Sequence, residues 1–200
     1  MNKQEQELFD FYTDEVNFKT ALEVFEYLPS VRRELLLQFW ENVKDKIDSL
    51  INEKGLAYKV ELPSDIFERY SACDLYKDEW GLEQDDDDFP ICFKWNAITN
   101  DLHLGLWLNH DSKKWDKKKI KSAFNELKIR KQFKFDNEWW CMGRFYEFSF
   151  KEGKYDSLKL LLPANRDKTV NEFASSIIEF AINVEKEIDI MKLLRQSLIK

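Results

Sequence analysis

The chain has 200 residues, 44% of them hydrophobic and 15% aromatic, with only five glycines and four prolines, a composition that fills one globular core and excludes a disordered or low-complexity protein. Its net charge of −7 is unevenly spread: residues 1–90 carry 10 Lys/Arg against 23 Asp/Glu, and residues 91–200 carry 21 against 15, an asymmetry that speaks of partners and solubility rather than of fold. No apolar run approaches the ~20 residues that span a bilayer, no basic patch and apolar stretch mark the N-terminus, and Cys73, Cys92 and Cys141 form neither a disulfide framework nor a zinc spacing. A single α+β domain over 1–200, cytoplasmic, with no membrane contact and buried thiols, is the expectation.

Leu8, Phe11, Phe18, Leu22 and Phe25, and then Leu36, Trp40, Val43, Ile47 and Leu50, recur at helical spacing and predict a helical hairpin over 1–54. Pro29-Ser30 would separate its arms with Ser30 as N-cap, and Gly55 suits a left-handed C-terminus. From 55 to 163 the pattern predicts an antiparallel sheet of about five strands with one inserted helix. Its period of two is weak in Tyr58, Val60 and Leu62 and clear in Ile91, Phe93, Trp95 and Ala97, with an irregular acidic segment between. After a turn at Thr99-Asn100-Asp101, Leu102, Leu104, Leu106 and Leu108 alternate with His103, Gly105, Trp107 and Asn109, completing a hairpin with one leucine face. The inserted helix, 112–128, buries Ile120, Ala123, Phe124 and Leu127. Strands are then expected at Phe133 and Phe135, at Tyr146 to Phe150 and at Leu158 to Leu162, followed by one long helix over 165–199 whose stripe runs from Val170 to Leu198.

The basic pole has an address. Lys114, Lys117, Lys118, Lys121 and Lys128 fall on an arc of roughly 100° beside the apolar stripe, at about 100° per residue, and Arg130, Lys131 and Lys134 extend it. Trp115 and Phe133 are candidates for stacking on bases. A second candidate surface is aromatic: Trp107, Trp139, Trp140 and Tyr146, residue types that anchor interfaces. The plainer readings are a solvated helix face and ordinary core.

Other constellations carry less. Asp85 to Asp88 are consecutive, lack the turn glycine of a calcium loop and precede Phe89-Pro90. Cys141 and His110 would be a nucleophile and base only if they met in space. Asp65 and Glu152-Gly153-Lys154 supply the pieces of a magnesium nuclease at poor positions. The few glycines are not clustered into a phosphate loop. No catalytic residue, metal site or cofactor is expected.

Leu37-Gln38-Phe39-Trp40-Glu41, the strands Ile91 to Ala97 and Leu102 to Leu108, the Lys-rich helix ending Phe124-Asn125-Glu126-Leu127, and Trp139-Trp140 to Phe150 before a terminal helix together resemble an uncharacterised bacterial domain. That domain occurs C-terminal to PD-(D/E)XK nuclease-like domains. The resemblance spans about 35–195 and implies an accessory recognition module of a restriction-like or phage-defence system. The nuclease's acidic pair and lysine have no counterpart here, so no catalytic role carries over. The resulting expectation is a non-catalytic binding module that contacts nucleic acid or an acidic protein through the basic helix. The rivals are a metal-dependent nuclease or other hydrolase whose site is hidden in sequence, and an acidic inhibitor or assembly protein that mimics nucleic acid.

Overall fold

A computed structural model describes residues 2–67, 72–80, 91–96, 101–107, 115–134, 136, 138–149 and 159–198, with the backbone alone at 12, 91–96, 101 and 146–149. The mixture of helices and an antiparallel sheet is that of an α+β protein. Two compact units divide the chain, Met1–Gln38 and Phe39–Lys200, where composition suggested one domain.

The first unit is helical. Helix α1 (Lys3–Thr13) opens with a capping box: the Asn2 side chain accepts from the Glu5 amide at 2.8 Å, and the Glu5 carboxylate accepts from the Asn2 amide at 2.7 Å. Asp14 then leaves the helical conformation, and its Oδ1 accepts from the amides of Val16 and Asn17. The helix restarts there as α2 (Glu15–Lys54), 40 residues long.

The expected break at Pro29-Ser30 is absent; Pro29 lies inside α2. A proline removes the N–H that would bond to the Phe25 carbonyl and crowds that carbonyl with its ring, at about 3 kcal/mol, and good helix formers on either side such as Leu28, Glu34, Leu35 and Leu37 offset this enough for the helix to continue. The break between helices therefore sits at Asp14, no packing of α1 back onto α2 is seen among the described residues in place of the expected hairpin, and Ser30 is no cap. Gly55 fulfils its expected role, with φ of 61°. Its amide donates to the Asn52 carbonyl at 3.2 Å and the Leu56 amide to that of Ile51 at 3.0 Å, a Schellman end.

In the second unit a five-stranded antiparallel sheet runs in chain order: β1 (Lys59–Glu61), β2 (Ala72–Tyr76), β3 (Ile91–Asn96), β4 (Asp101–Trp107) and β5 (Trp140–Ser149). These are not all the strands expected. β2 lies in the segment read as irregular, and Leu158 to Leu162 instead holds a 3-10 turn, Lys159–Leu161. Phe133 is extended only where Lys134 donates to the Gly143 carbonyl at 2.9 Å. Ala97, Leu108, Phe135 and Leu158 lie outside the described residues.

The leucine face behaves as its alternation demands. Leu102, Leu104 and Leu106 are fully buried with Cys73 and Leu75 of β2. Phe39, Trp40, Val43 and Ile47 of α2 join this core, and the Phe39 ring meets that of Phe173 edge-on at 5.3 Å.

The inserted helix is shorter than expected, α3 (Lys117–Asn125), because Asp116 caps it by accepting from the Lys119 amide. A separate 3-10 turn, Lys128–Gln132, follows. The terminal helix is two helices, α4 (Pro163–Glu187) and α5 (Ile190–Gln196), since Ile188 is extended and the Asp189 side chain caps α5 through the Lys192 amide. A polar lock ties α4 to the sheet. The Tyr58 hydroxyl donates to Glu185, whose other carboxylate oxygen lies 2.5 Å from Lys77 Nζ, and that ammonium stands 4.8 Å over the Tyr58 ring.

Candidate functional site

The lysines of the basic pole are held by a short amphipathic element. Ile120 and Phe124 of α3 are fully buried, so Lys117 and Lys121, next to them around the helix, are half-buried, and Lys118, a further 60–100° round, is exposed. Lys119 departs in the other direction and donates to the Gln196 carbonyl at 3.1 Å.

Lys128 belongs to the 3-10 turn and not to α3, which separates it from the predicted helical arc. That turn is tied down by an acid. Glu187, at the end of α4, accepts from the backbone amides of Lys128 and Ile129, the latter at 3.1 Å, in the way anions satisfy free amides at helix starts.

Arg130 is spent on structure. Its guanidinium donates to Asp136 Oδ2 at 2.6 Å, to the Phe133 carbonyl at 2.7 Å and to Asn125 Oδ1 at 3.2 Å. Lys117, Lys118, Lys128, Lys131 and Lys134, by contrast, have side chains that no carboxylate among the described residues pairs with, and all but the half-buried Lys117 are exposed. Lys114 lies outside the described residues.

The aromatic set is assembled by a β-bulge. Leu106 pairs with Met142, but Trp107 pairs with Trp140, so Cys141 is the extra residue of β5. Trp140 thereby shares the face of His103, Gly105 and Trp107, opposite the leucines.

Gly105 faces Gly143, and a Cβ on Gly105 would stand 2.2 Å from the Met142 carbonyl oxygen and 3.0 Å from Trp140 Cε3. The bare backbone is what lets the Trp140 indole lie there. Trp107 and Trp139 stack at 6.2 Å and 10° between planes, and His103 meets Phe145 at 4.6 Å and Trp140 at 6.0 Å, both edge-on.

Trp140 itself is buried, while Trp139 is 37% and Phe145 54% exposed. Tyr146 lies in β5 with its side chain outside the described residues. Phe145 and His103 are members that sequence reasoning missed. Their signal was register, since His103 pairs with Phe145 across the strands.

Both sets share β5. α3 packs against this strand, Lys134 bonds to Gly143 beside the aromatic face, and the Arg144 guanidinium stands 5.6 Å over the buried Phe133 ring. Trp115 and Phe133, the expected stacking residues, are buried at 2% and 5% exposure and cannot meet a base. The Phe133 ring packs on Phe180 at 4.7 Å.

Burial pushes the Cys141 thiol up to about 12, against a smaller downward pull from Lys121. It is therefore held protonated and cannot serve as a ready nucleophile. His110, Asp85 to Asp88 and Glu152 to Lys154 lie outside the described residues. Asp65 accepts from the Phe67 amide at 2.8 Å in a turn. Among the described residues, no three His, Cys, Asp or Glu side chains converge as a metal site, and no helix is long and apolar enough to cross a membrane.

In comparisons with known proteins, no family model matches the chain, no curated protein matches it and no solved structure matches it.

Proposed function

We propose that the chain is a non-catalytic module that binds single-stranded nucleic acid along β5, the lysines holding phosphates and the aromatic face holding bases. What supports this reading is that one strand links the two sets: exposed Phe145 and the Trp107–Trp139 stack lie on one sheet face, while α3 contacts β5 and Lys134 bonds to it, and Lys117, Lys118 and Lys134 have no carboxylate partner among the described residues. Aromatic platforms beside a cationic track suit a single strand, because every base has a π-face and every nucleotide a charge. The sequence resemblance to a domain that follows nuclease-like regions supports an accessory role in a defence system.

Fluorescence polarisation with short labelled DNA and RNA single strands, repeated over a salt series, tests this. Each phosphate neutralised contributes about −0.7 to the slope of log K against log salt, so five lysines give a slope of about −3.5. Lys118→Gln with Lys131→Gln makes the slope shallower by about 1.4. Phe145→Ala weakens binding by about 1–3 kcal/mol per stacked base and leaves the slope unchanged. Binding insensitive to salt or to the lysine pair overturns the proposal; salt-dependent binding of an acidic protein, indifferent to Phe145→Ala, favours the rival partner.

A further inference from the structure

The unit Met1–Gln38 exposes apolar surface on a scale that water does not favour. Among the described residues, eleven large apolar side chains between Leu8 and Val31 are each at least half exposed, where monomeric proteins rarely expose apolar patches beyond a few hundred Å². In α2 the charged residues of 15–31, Glu15, Lys19, Glu23 and Glu26, fall within a wedge of about 80°, at 3.6 residues per turn. The apolar side chains take most of the remaining circumference. A helix apolar on nearly all sides is one that is buried.

We infer that residues 8–31 are a self-association surface through which two copies of the chain pair. The available area suits a stable dimer. Phe9, Phe11, Phe18, Phe25 and Tyr27 are 52–76% exposed, and at ~150–250 Å² for each whole side chain they present about 600 Å². The six aliphatic residues bring the face past the ~800 Å² that each partner gives to a standard interface.

Charge also selects a second copy. The four charges of 15–31 sit in the narrow wedge, so the apolar arc offers nothing for an oppositely charged partner to meet. An identical arc opposes it without like charges in contact, and a two-fold axis supplies equal area from both sides. Because the arc is wider than the seam one neighbouring helix covers, α1 and the first turns of α2 from both copies are needed, a four-segment bundle.

Sedimentation velocity of the full chain across a concentration series is the test. A species of twice the 24.1 kDa chain mass is expected, and Leu22→Asp with Phe25→Asp should return it to the mass of one chain. All seven tryptophans lie between Trp40 and Trp140, so their near-ultraviolet circular dichroism reports the folding of the second unit in each variant. Should the pair of substitutions unfold the chain, Phe25→Glu alone replaces it, at a side chain 76% exposed in the single copy. A wild-type chain that sediments at its own mass throughout, or a folded variant that keeps the doubled mass, overturns the inference.

Discussion

At the scale of single residues, the groups with displaced proton affinities are packing features whose displacement has a thermodynamic consequence. Burial raises the thiols of Cys73 and Cys141 from an ordinary 9.0, and burial with the bond to Glu185 raises the Tyr58 hydroxyl from 10.0. The unfolded chain releases these protons as pH passes 9 and then 10, while the folded chain keeps them. Their contribution to stability is therefore complete below about pH 9 and is lost as pH rises. Each retained thiol proton costs about 1.4 kcal/mol of stability per pH unit over that range. Urea unfolding between pH 8 and pH 10.5 should show this decline, and Cys141→Ala should flatten it by about one thiol's share. An unchanged slope in that variant would mean the thiol ionises in the folded protein.

At the scale of elements, the basic turn depends on an acid from a distant helix. Glu187 closes α4 and accepts two amides at the start of Lys128–Gln132, so one carboxylate fixes where Lys128 and Lys131 stand. Glu187→Ala should cost about 1–2 kcal/mol, the usual cost of a lost cap, and speed hydrogen exchange at the amides of Lys128 and Ile129. Unchanged exchange at those two amides would show that the turn holds itself.

This dependence illustrates what could be read from the chain. Alternation in Leu102 to Leu106 and the periodicity of Phe39 to Ile47 and Val170 to Val184 are local, and they placed the core correctly. Gly55 was legible for the same reason. Pro29 and the Ile188 break escape a reading by breakers and periodicity, because a helix interrupts where competing hydrogen bonds exist, at Asp14 and Asp189, and not at every breaker. The aromatic face was only partly legible: Trp107, Trp139 and Trp140 were named, but Phe145 and His103 join them through a cross-strand register and a bulge at Cys141 that no periodicity encodes. Burial of Trp115 and Phe133 is likewise a tertiary outcome.

At the scale of the whole molecule, the two charge poles would set how the proposed binding responds to salt. In that proposed mode a chain of net −7 meets a polyanion through a local lysine cluster. At ~0.15 M salt the Debye length is about 8 Å, so a bound strand responds to the lysines it touches. At ~0.01 M it is about 30 Å, and the net negative charge of the chain is then felt as repulsion.

Counterion release alone gives a straight line of log affinity against log salt. For this protein the line should bend over at low salt as the acidic residues begin to oppose the strand. Replacing Glu7, Glu23 and Glu26 with glutamine removes three negative charges and leaves the residues of β5 and the lysines unaltered. That variant should match the unaltered chain at physiological salt and bind more tightly at low salt, with a straighter line. A line equally straight in both proteins would mean that the acidic pole exerts no field at the binding surface. A variant that binds more tightly at every salt concentration would instead place those carboxylates in direct contact with the strand.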